Sequence, residues 1–344
     1  MNIAYHSSDA YARILAVSMV SLFENNKFLD EINVYIIEHG ISEKNKYALN
    51  LISKKYGRKL YFIPMPDINQ VERLKLKQVK KKWIFDSYCR LFLDDLLPKS
   101  VDKVLYLDSD VLVTDSLEKL WNTDLNNHVA AGVKDCFNKK YYKLLGLKKN
   151  AHYCNSGVIL INLSKWRNDC IGDQIRKYIY KHDGYVFFME QTVMNGVIQD
   201  KWLILPVRYN VNTLMMILSY DEIKTLRRID DFYPEGEVIN ALKHPALIHM
   251  TSVFLVHNRT WIKGNNHPAK SIYNKYKALT PWKDSEDLPD NRSTRIKIQD
   301  RIIDLLPNKI LLPIASFIYN NIRVANIRKN MKRYRKKNIR TNKC

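Results

Sequence analysis

The sequence predicts an α/β protein: one large unit built on a Rossmann-like, parallel-type sheet, with a basic tail at its C-terminal end. Three observations carry this expectation. Strand-like and helix-like periods alternate from the N-terminus, the βαβ signature of a sheet covered by helices. An apolar strand, Lys103–Leu107, runs straight into Asp108-Ser109-Asp110, and apolar residues resume at once. Charge is concentrated elsewhere: of a net +21, residues 291–344 supply fifteen Lys or Arg against two Asp.

Taken in order, Asn2–Tyr5 reads as a strand, followed by a polar turn and an apolar-periodic helix over about Tyr11–Phe23. Glu31–Glu38 is rich in β-branched residues and reads as a second strand. Ser42 is a fitting N-cap for a helix reaching about Lys55, although Asn45 at its third position completes no capping box. Lys59–Ile63 is a third strand. A basic loop at Lys75–Lys82 interrupts the pattern, which resumes as a helix over Phe85–Leu97 carrying Arg90. Val129–Val133 and Val158–Asn162 read as strands, Leu163–His182 and Glu190–Val197 as helices. Trp202–Leu205 and Ala246–Met250 are short apolar runs, and the unit is expected to close near Trp282.

Composition narrows the class. With 344 residues, 46% of them hydrophobic, a sizeable core is within reach and global disorder is excluded. Ten Gly and no fixed-period repeat exclude collagen-like and repeat architectures. The five Cys are scattered without a CxxC pair, which offers no zinc site or disulfide frame and fits a reducing compartment. The N-terminus shows no signal-peptide pattern, and no run of about 18 apolar residues exists, so no helix is expected to span a bilayer. A cytoplasmic location is therefore expected. The charge predicts attraction to polyanions, but no motif that reads RNA or DNA accompanies it, so no nucleic-acid partner is expected.

Side chains two apart on a strand share a face, so Asp108 and Asp110 are expected to converge at the strand's end. Two carboxylates held together in an apolar setting are costly without a positive partner, and a hard divalent cation is the simplest one. Four other groups could join them. Asn155-Ser156-Gly157 precedes a buried strand, and Glu190-Gln191 opens a helix. His249 ends an apolar run, where a neutral imidazole could be a third metal ligand. Arg90, Arg259 and Lys263 could meet phosphate oxygens.

In order, these fragments resemble glycosyltransferase family 8, the glycogenin and bacterial lipopolysaccharide galactosyltransferase group. The resemblance covers about residues 1–282. It rests on Asp9-Ala10-Tyr11, Tyr88-Cys89-Arg90-Leu91, the strand ending in Asp108-Ser109-Asp110, Asn155-Ser156-Gly157, Glu190-Gln191, His249-Met250-Thr251-Ser252 and the Arg259-to-Trp282 string. It implies the GT-A fold, with a mixed Rossmann-like sheet, and a retaining transferase that takes a hexose, glucose or galactose, from a UDP-sugar with Mn²⁺ or Mg²⁺. It implies that Asp108, Asp110 and His249 hold the metal. Arg90, Ser109, Asp135, Asn155 and Glu190 would then face the donor, with Gln191 near the anomeric carbon. Asp9 and Tyr11 would line the uracil end, and Ser252 with Arg259 or Lys263 the phosphate end. Ser8 and Ala10 depart from the family pattern at the base. The implied acceptor is a cell-surface glycan such as lipopolysaccharide or capsule, presented on a membrane-linked carrier. Two other readings of the Asp pair stay open at this point: a phosphatase or phosphotransferase with Asp108 as nucleophile, and a non-catalytic membrane-bound scaffold.

The organisation expected is a catalytic unit over 1–282, a charge-rich linker over 283–294 and a basic amphipathic region over 295–344. Within the last, Ile302–Tyr319 is apolar but interrupted by Asp304, Pro307, Lys309 and Pro313, and a polybasic cluster follows. Apolar insertion plus polybasic attraction is the two-signal logic of peripheral attachment to an anionic membrane surface, here the inner face.

Overall fold

A computed structural model describes residues 1–65, 87–182, 186–256 and 258–341. The basic loop Lys75–Lys82 and the start of the Phe85–Leu97 stretch lie outside the described residues. Ten strands are present among those described: β1 (Asn2–Ser8), β2 (Asn33–His39), β3 (Lys59–Pro64), β4 (Lys103–Leu107), β5 (Val111–Val113), β6 (Ala130–Lys134), β7 (Cys154–Asn162), β8 (Trp202–Ile204), β9 (Val211–Asn212) and β10 (Leu247–His249). Seven form one mixed sheet in the order β3-β2-β1-β4-β7-β6-β8. β1 to β4 run parallel, while β7 is antiparallel to both β4 and β6. The other three make a small sheet, β5-β10-β9.

Helix α1 (Ala12–Asn25) buries every residue from Ile14 to Phe23. A helix apolar nearly all round belongs in an interior, and α1 lies between β1 and the small sheet. Its few polar residues serve β5, a strand too short to satisfy itself. Ser18 Oγ donates to Val111 O (2.6 Å), Val113 N–H donates to Ser21 Oγ (2.9 Å), and Asn25 Nδ2 donates to Val113 O (2.9 Å). Helix α2 (Glu43–Lys55) starts at Ser42, whose hydroxyl accepts from Asn45 N–H, as expected of an N-cap.

Two expected helices differ. Ser87–Phe92 forms 3₁₀ turns before a single α turn at Leu93–Leu96, instead of one continuous helix. The Leu163–His182 stretch divides into α3 (Leu163–Asn168) and α4 (Ile171–Lys181), because Cys170 adopts a left-handed φ of 50° between them. Helix α5 (Met189–Ile198) follows, fastened to β7 by Asn195, which accepts from Cys154 N–H and donates to Cys154 O.

Residues 283–294 do not hang free. Lys263 N–H donates to Leu288 O and Leu288 N–H to Trp261 O, both at 2.8 Å, while Asp287 pairs with Lys270. The tail then runs through α6 (Thr294–Asp304), α7 (Asn308–Phe317), a π-helical turn at Ile318–Ile322 and α8 (Arg323–Thr341). Contrary to the expectation that no helix could span a bilayer, the run Asn308–Arg333 is long and apolar enough to do so, by length and composition alone, because the helix continues through Lys309 and Pro313. One of its faces is sealed onto the body of the fold by Leu312, Ser316, Asn320, Val324 and Ile327, all buried. Asn320 Nδ2 donates to Leu226 O (3.0 Å), and Tyr141 donates to Tyr319 O (2.5 Å). The opposite face leaves Ile310, Ile314, Phe317, Ile318 and Ile322 exposed.

Candidate active site

β4 stops at Leu107, so the meeting of Asp108 and Asp110 does not come from strand alternation. A tight turn brings them together: Val111 N–H donates back to Asp108 O (3.0 Å), and the chain leaves at once as β5 in the other sheet. Asp108 N–H donates to Gly157 O (2.8 Å) and Met250 N–H to Asp110 O (3.0 Å), which pins the turn to β7 on one side and to the end of β10 on the other. His249 arrives on β10. Its Nε2 lies 3.3 Å from Asp110 Oδ1 and 3.7 Å from Asp108 Oδ2, and the three ligand atoms all fall within 4.8 Å of one another.

Two carboxylate oxygens and an imidazole nitrogen suit a divalent cation such as Mn²⁺ or Mg²⁺. The surroundings fit that use. Asn210 Nδ2 donates to Asn155 Oδ1 (2.9 Å), which turns Asn210 Oδ1 toward His249 Nδ1 at 3.2 Å. Nδ1 then carries the proton and Nε2 is left as a lone-pair donor facing both Asp. Gly157 keeps the space open, since a Cβ there would lie 2.1 Å from His249 Cε1 and 2.8 Å from Asp108 Oδ2.

Each Asp also has its own guanidinium. Arg90, buried, places Nη2 2.7 Å from Asp108 Oδ1 and donates from Nη1 to Ser156 O (2.7 Å). Its guanidinium lies over the Tyr106 ring at 4.6 Å, and the Tyr106 hydroxyl donates to Asp108 Oδ1 (3.0 Å). Arg259 donates to Asp110 Oδ2 and to Met250 O. Burial pushes the Asp110 carboxyl up, but Arg259 and His249 outweigh it and hold it well below the usual carboxylate range.

A second group sits beside this centre at the start of α5. Gln191 Nε2 donates to Asp135 Oδ2 (3.0 Å), and its Oε1 accepts from Ser156 N–H (3.1 Å). Glu190 is buried, accepts from Ser87 Oγ (2.7 Å) and lies 4.0 Å from Arg90. Burial raises its carboxyl, with Arg90 pulling the other way.

Asp108, Asp110, His249, Arg90, Asp135, Asn155, Glu190, Gln191 and Arg259 therefore stand in one connected network. Tyr11 is on its rim, edge-on to Trp261 at 6.0 Å, and Trp261 carries the Arg259 guanidinium at 5.5 Å. The other four residues expected at the donor stand outside these hydrogen bonds. Asp9 Oδ1 accepts from Ser42 N–H (2.8 Å) and Asn45 Nδ2 (2.7 Å), at the head of α2. The Ser109 hydroxyl donates to His6 O (2.6 Å) and so ties the turn to β1. Ser252 lines a cavity on the tail side, and Lys263 is exposed on the loop beyond Trp261. Sequence reasoning missed Asn210, Ser87 and Tyr106, which orient His249, Glu190 and Asp108. Ser156, which links Arg90 to Gln191, was visible only as the centre of Asn155-Ser156-Gly157.

A family model described as glycosyl transferase family 8 matches residues 2–254. General stress protein A of Bacillus subtilis strain 168 is 26% identical over 286 residues, which cover 82% of this chain and 94% of that protein. Lipopolysaccharide 1,2-glucosyltransferase of Escherichia coli K12 is 28% identical over 309 residues, covering 89% of this chain and 85% of that enzyme. The solved structure of galactosyltransferase LgtC with donor and acceptor sugar analogues matches with a TM-score of 0.68 at 24% identity, covering 83% of this chain and 99% of LgtC. That likeness concerns the fold, which is GT-A.

Proposed function

The chain belongs to glycosyl transferase family 8, and from that premise we propose that it transfers a hexose, glucose or galactose, from a UDP-sugar to a saccharide acceptor with retention of configuration. The acceptor is a cell-surface glycan such as lipopolysaccharide or capsule, carried on a membrane-linked molecule. The observation that carries this reading is the Asp108–Asp110–His249 cluster, kept open by Gly157 and fixed in tautomer by Asn210. These three residues would hold Mn²⁺ or Mg²⁺, whose chemistry when bound is charge neutralisation at a nucleotide diphosphate. Arg259, at the rim and tethered to Asp110, supplies further positive charge where negative charge grows as UDP departs.

The reacting sugar lies against Gln191, Asp135 and Glu190. Gln191 has both ends of its amide engaged, the oxygen by Ser156 and the nitrogen by Asp135. An amide so held is a poor nucleophile but a firm positioning group. The acceptor hydroxyl therefore attacks on the face that UDP leaves, through an oxocarbenium-like state, and its proton passes to the departing diphosphate oxygen. Glu190, raised by burial, stands 4.0 Å from Arg90, the guanidinium that pairs with Asp108. The chain works on the inner membrane face, held there through residues 295–344, whose exposed apolar stripe continues into the basic helix α8.

The test is UDP release from UDP-glucose and UDP-galactose with Mn²⁺. Release that disappears with EDTA and in Asp110→Asn supports the proposal. Phosphate release from simple phosphomonoesters, with no UDP formed from either donor, would overturn it.

A further inference from the structure

Two cavities meet beneath the tail. One, of about 800 Å³, lies between residues 251–256 and 258–262 on one side and residues 288–303 on the other, and reaches Arg259. The other, of about 490 Å³, lies between the helix at Tyr220–Arg227 and the α7–α8 run. They share Ser252, Val253, Phe254, Gln299 and Ile303, so together they form one groove from the Arg259–Asp110 pair to the outer face of the tail. Its volume is on the scale of small-molecule sites.

The outer part of the groove has two chemical characters. Ile303, Ile314 and Ile318 give it an apolar wall that continues into the exposed stripe of the tail. At the other end Arg227 and Arg323 both lie on the Tyr319 ring, at 4.3 and 5.1 Å. Arg323 is also 4.9 Å from the Phe188 ring, two residues before Glu190. Arg227 Nε is buried with no hydrogen-bond partner among the described residues. Tyr319 belongs to the π-helical turn, an irregularity that recurs at functional sites. The groove meets the candidate active site at Arg259, which lines its inner part and pairs with Asp110.

We propose that this groove binds an anionic amphiphile, with a phosphate or carboxylate at Arg227 and Arg323 and the hydrocarbon along Ile303, Ile314 and Ile318. Resting on the proposed function, its occupant is the lipid-linked acceptor itself. The tail is then one wall of the acceptor site as well as a membrane-facing element. Charge complementarity argues for the head group, and continuity with the exposed stripe argues for a chain that enters from the bilayer.

Isothermal titration of the full-length protein with dodecyl phosphate, kept below its critical micelle concentration, tests this. One saturable site is expected. Inorganic phosphate and dodecyl maltoside, each carrying half of the recognition, should bind at least about tenfold more weakly. Arg227→Gln/Arg323→Gln and, separately, Ile314→Gln should each weaken dodecyl phosphate about tenfold, with melting curves reporting the fold. Ile314 is half exposed, so its variant decides the matter even if the double variant fails to fold. Asp110→Asn should keep the dodecyl phosphate site while losing UDP release, so failure of the groove and failure of the proposed function read out separately. Many dodecyl phosphates per chain, undiminished binding in Ile314→Gln, or equally tight inorganic phosphate would overturn the proposal. Phosphatidylglycerol vesicles that bind the protein without displacing dodecyl phosphate support the acceptor as occupant; displacement gives the groove to bulk lipid and overturns it.

Discussion

Gly157→Ala is a one-carbon change aimed at the proposed metal site, the Asp108–Asp110–His249 cluster. Gly157 has no positive φ to defend, so the effect is steric: the new Cβ would stand 2.1 Å from His249 Cε1 and 2.8 Å from Asp108 Oδ2. Carbon–carbon contacts prefer about 3.5–4.0 Å, so the ring has to retreat by more than an ångström. It cannot do so freely, because His249 is buried and its Nδ1 is tied to Asn210. Overpacking of this kind costs about 1–3 kcal/mol. On a chain of this size that lowers the melting temperature by no more than several degrees. The ligand set suffers more, since displacement of a ligand or its support weakens metal affinity by about 10–100-fold. The assay is UDP release titrated with Mn²⁺, alongside a thermal melt. The expected result is a folded protein whose Mn²⁺ requirement rises by that factor. Half-saturation at the wild-type Mn²⁺ concentration would refute the idea that Gly157 keeps the site open.

Further outcomes follow from neighbouring groups. Asn210→Leu removes the partner that fixes the His249 tautomer, and about 10–100-fold weaker Mn²⁺ activation is expected in the same titration; unchanged activation would show that the ring needs no such support. His267 is pressed down from 6.5 to about 4, first by burial and then by Arg259, while Asp110 pulls the other way. Its Nδ1 accepts from Ala269 N–H and its Nε2 faces Thr213 Oγ1 at 2.9 Å, an arrangement for a neutral ring. The unfolded ring takes up a proton as pH falls through 6.5, whereas the folded one resists until about 4. Its contribution, about 3 kcal/mol in full, is therefore present above 6.5 and lost between 6.5 and 4. Melting temperatures from pH 7.5 to 4.5 should fall more steeply in the wild type than in His267→Gln, and parallel slopes would contradict this. Ile310→Gln/Phe317→Gln/Ile322→Gln changes three exposed residues of the tail and should reduce flotation with phosphatidylglycerol vesicles at least tenfold, at about 1.5–3 kcal/mol per side chain withdrawn from the bilayer; equal flotation would count against membrane attachment by this stripe.

Much of the centre was legible because its residues occur in compact strings. Asp108-Ser109-Asp110, Asn155-Ser156-Gly157 and Glu190-Gln191 each place a functional group beside a buried strand or helix start. The residues that escaped are those whose role depends on long-range contact. Asn210 sits 39 positions from His249, and Ser87 sits 103 positions from Glu190, with no local pattern to mark either. The geometry of the Asp pair was reached by the wrong route: strand alternation predicted convergence, but a turn between two sheets produces it. Cys170 illustrates a further limit, since a non-glycine residue in the left-handed region breaks a helix without a compositional sign. The docked face of the tail does have a readable four-residue spacing at Leu312, Ser316, Asn320 and Val324. Its two polar members hide it from a search for apolar stripes, because each is buried by hydrogen bonding to the partner helix or its own.

The Asp108–Asp110 turn is the seam between the two sheets, with β4 entering from one and β5 leaving into the other. Its amides are bonded to β7, to the turn itself and, through Met250, to the end of β10. Two of these bonds, Asp108 N–H to Gly157 O and Met250 N–H to Asp110 O, tie the turn to different sheets, so fraying of one sheet leaves the other bond in place. Hydrogen exchange at Asp108 and Met250 should thus proceed only through opening of the whole domain, at its slowest rate. The centre would then persist intact up to the temperature at which the domain itself unfolds.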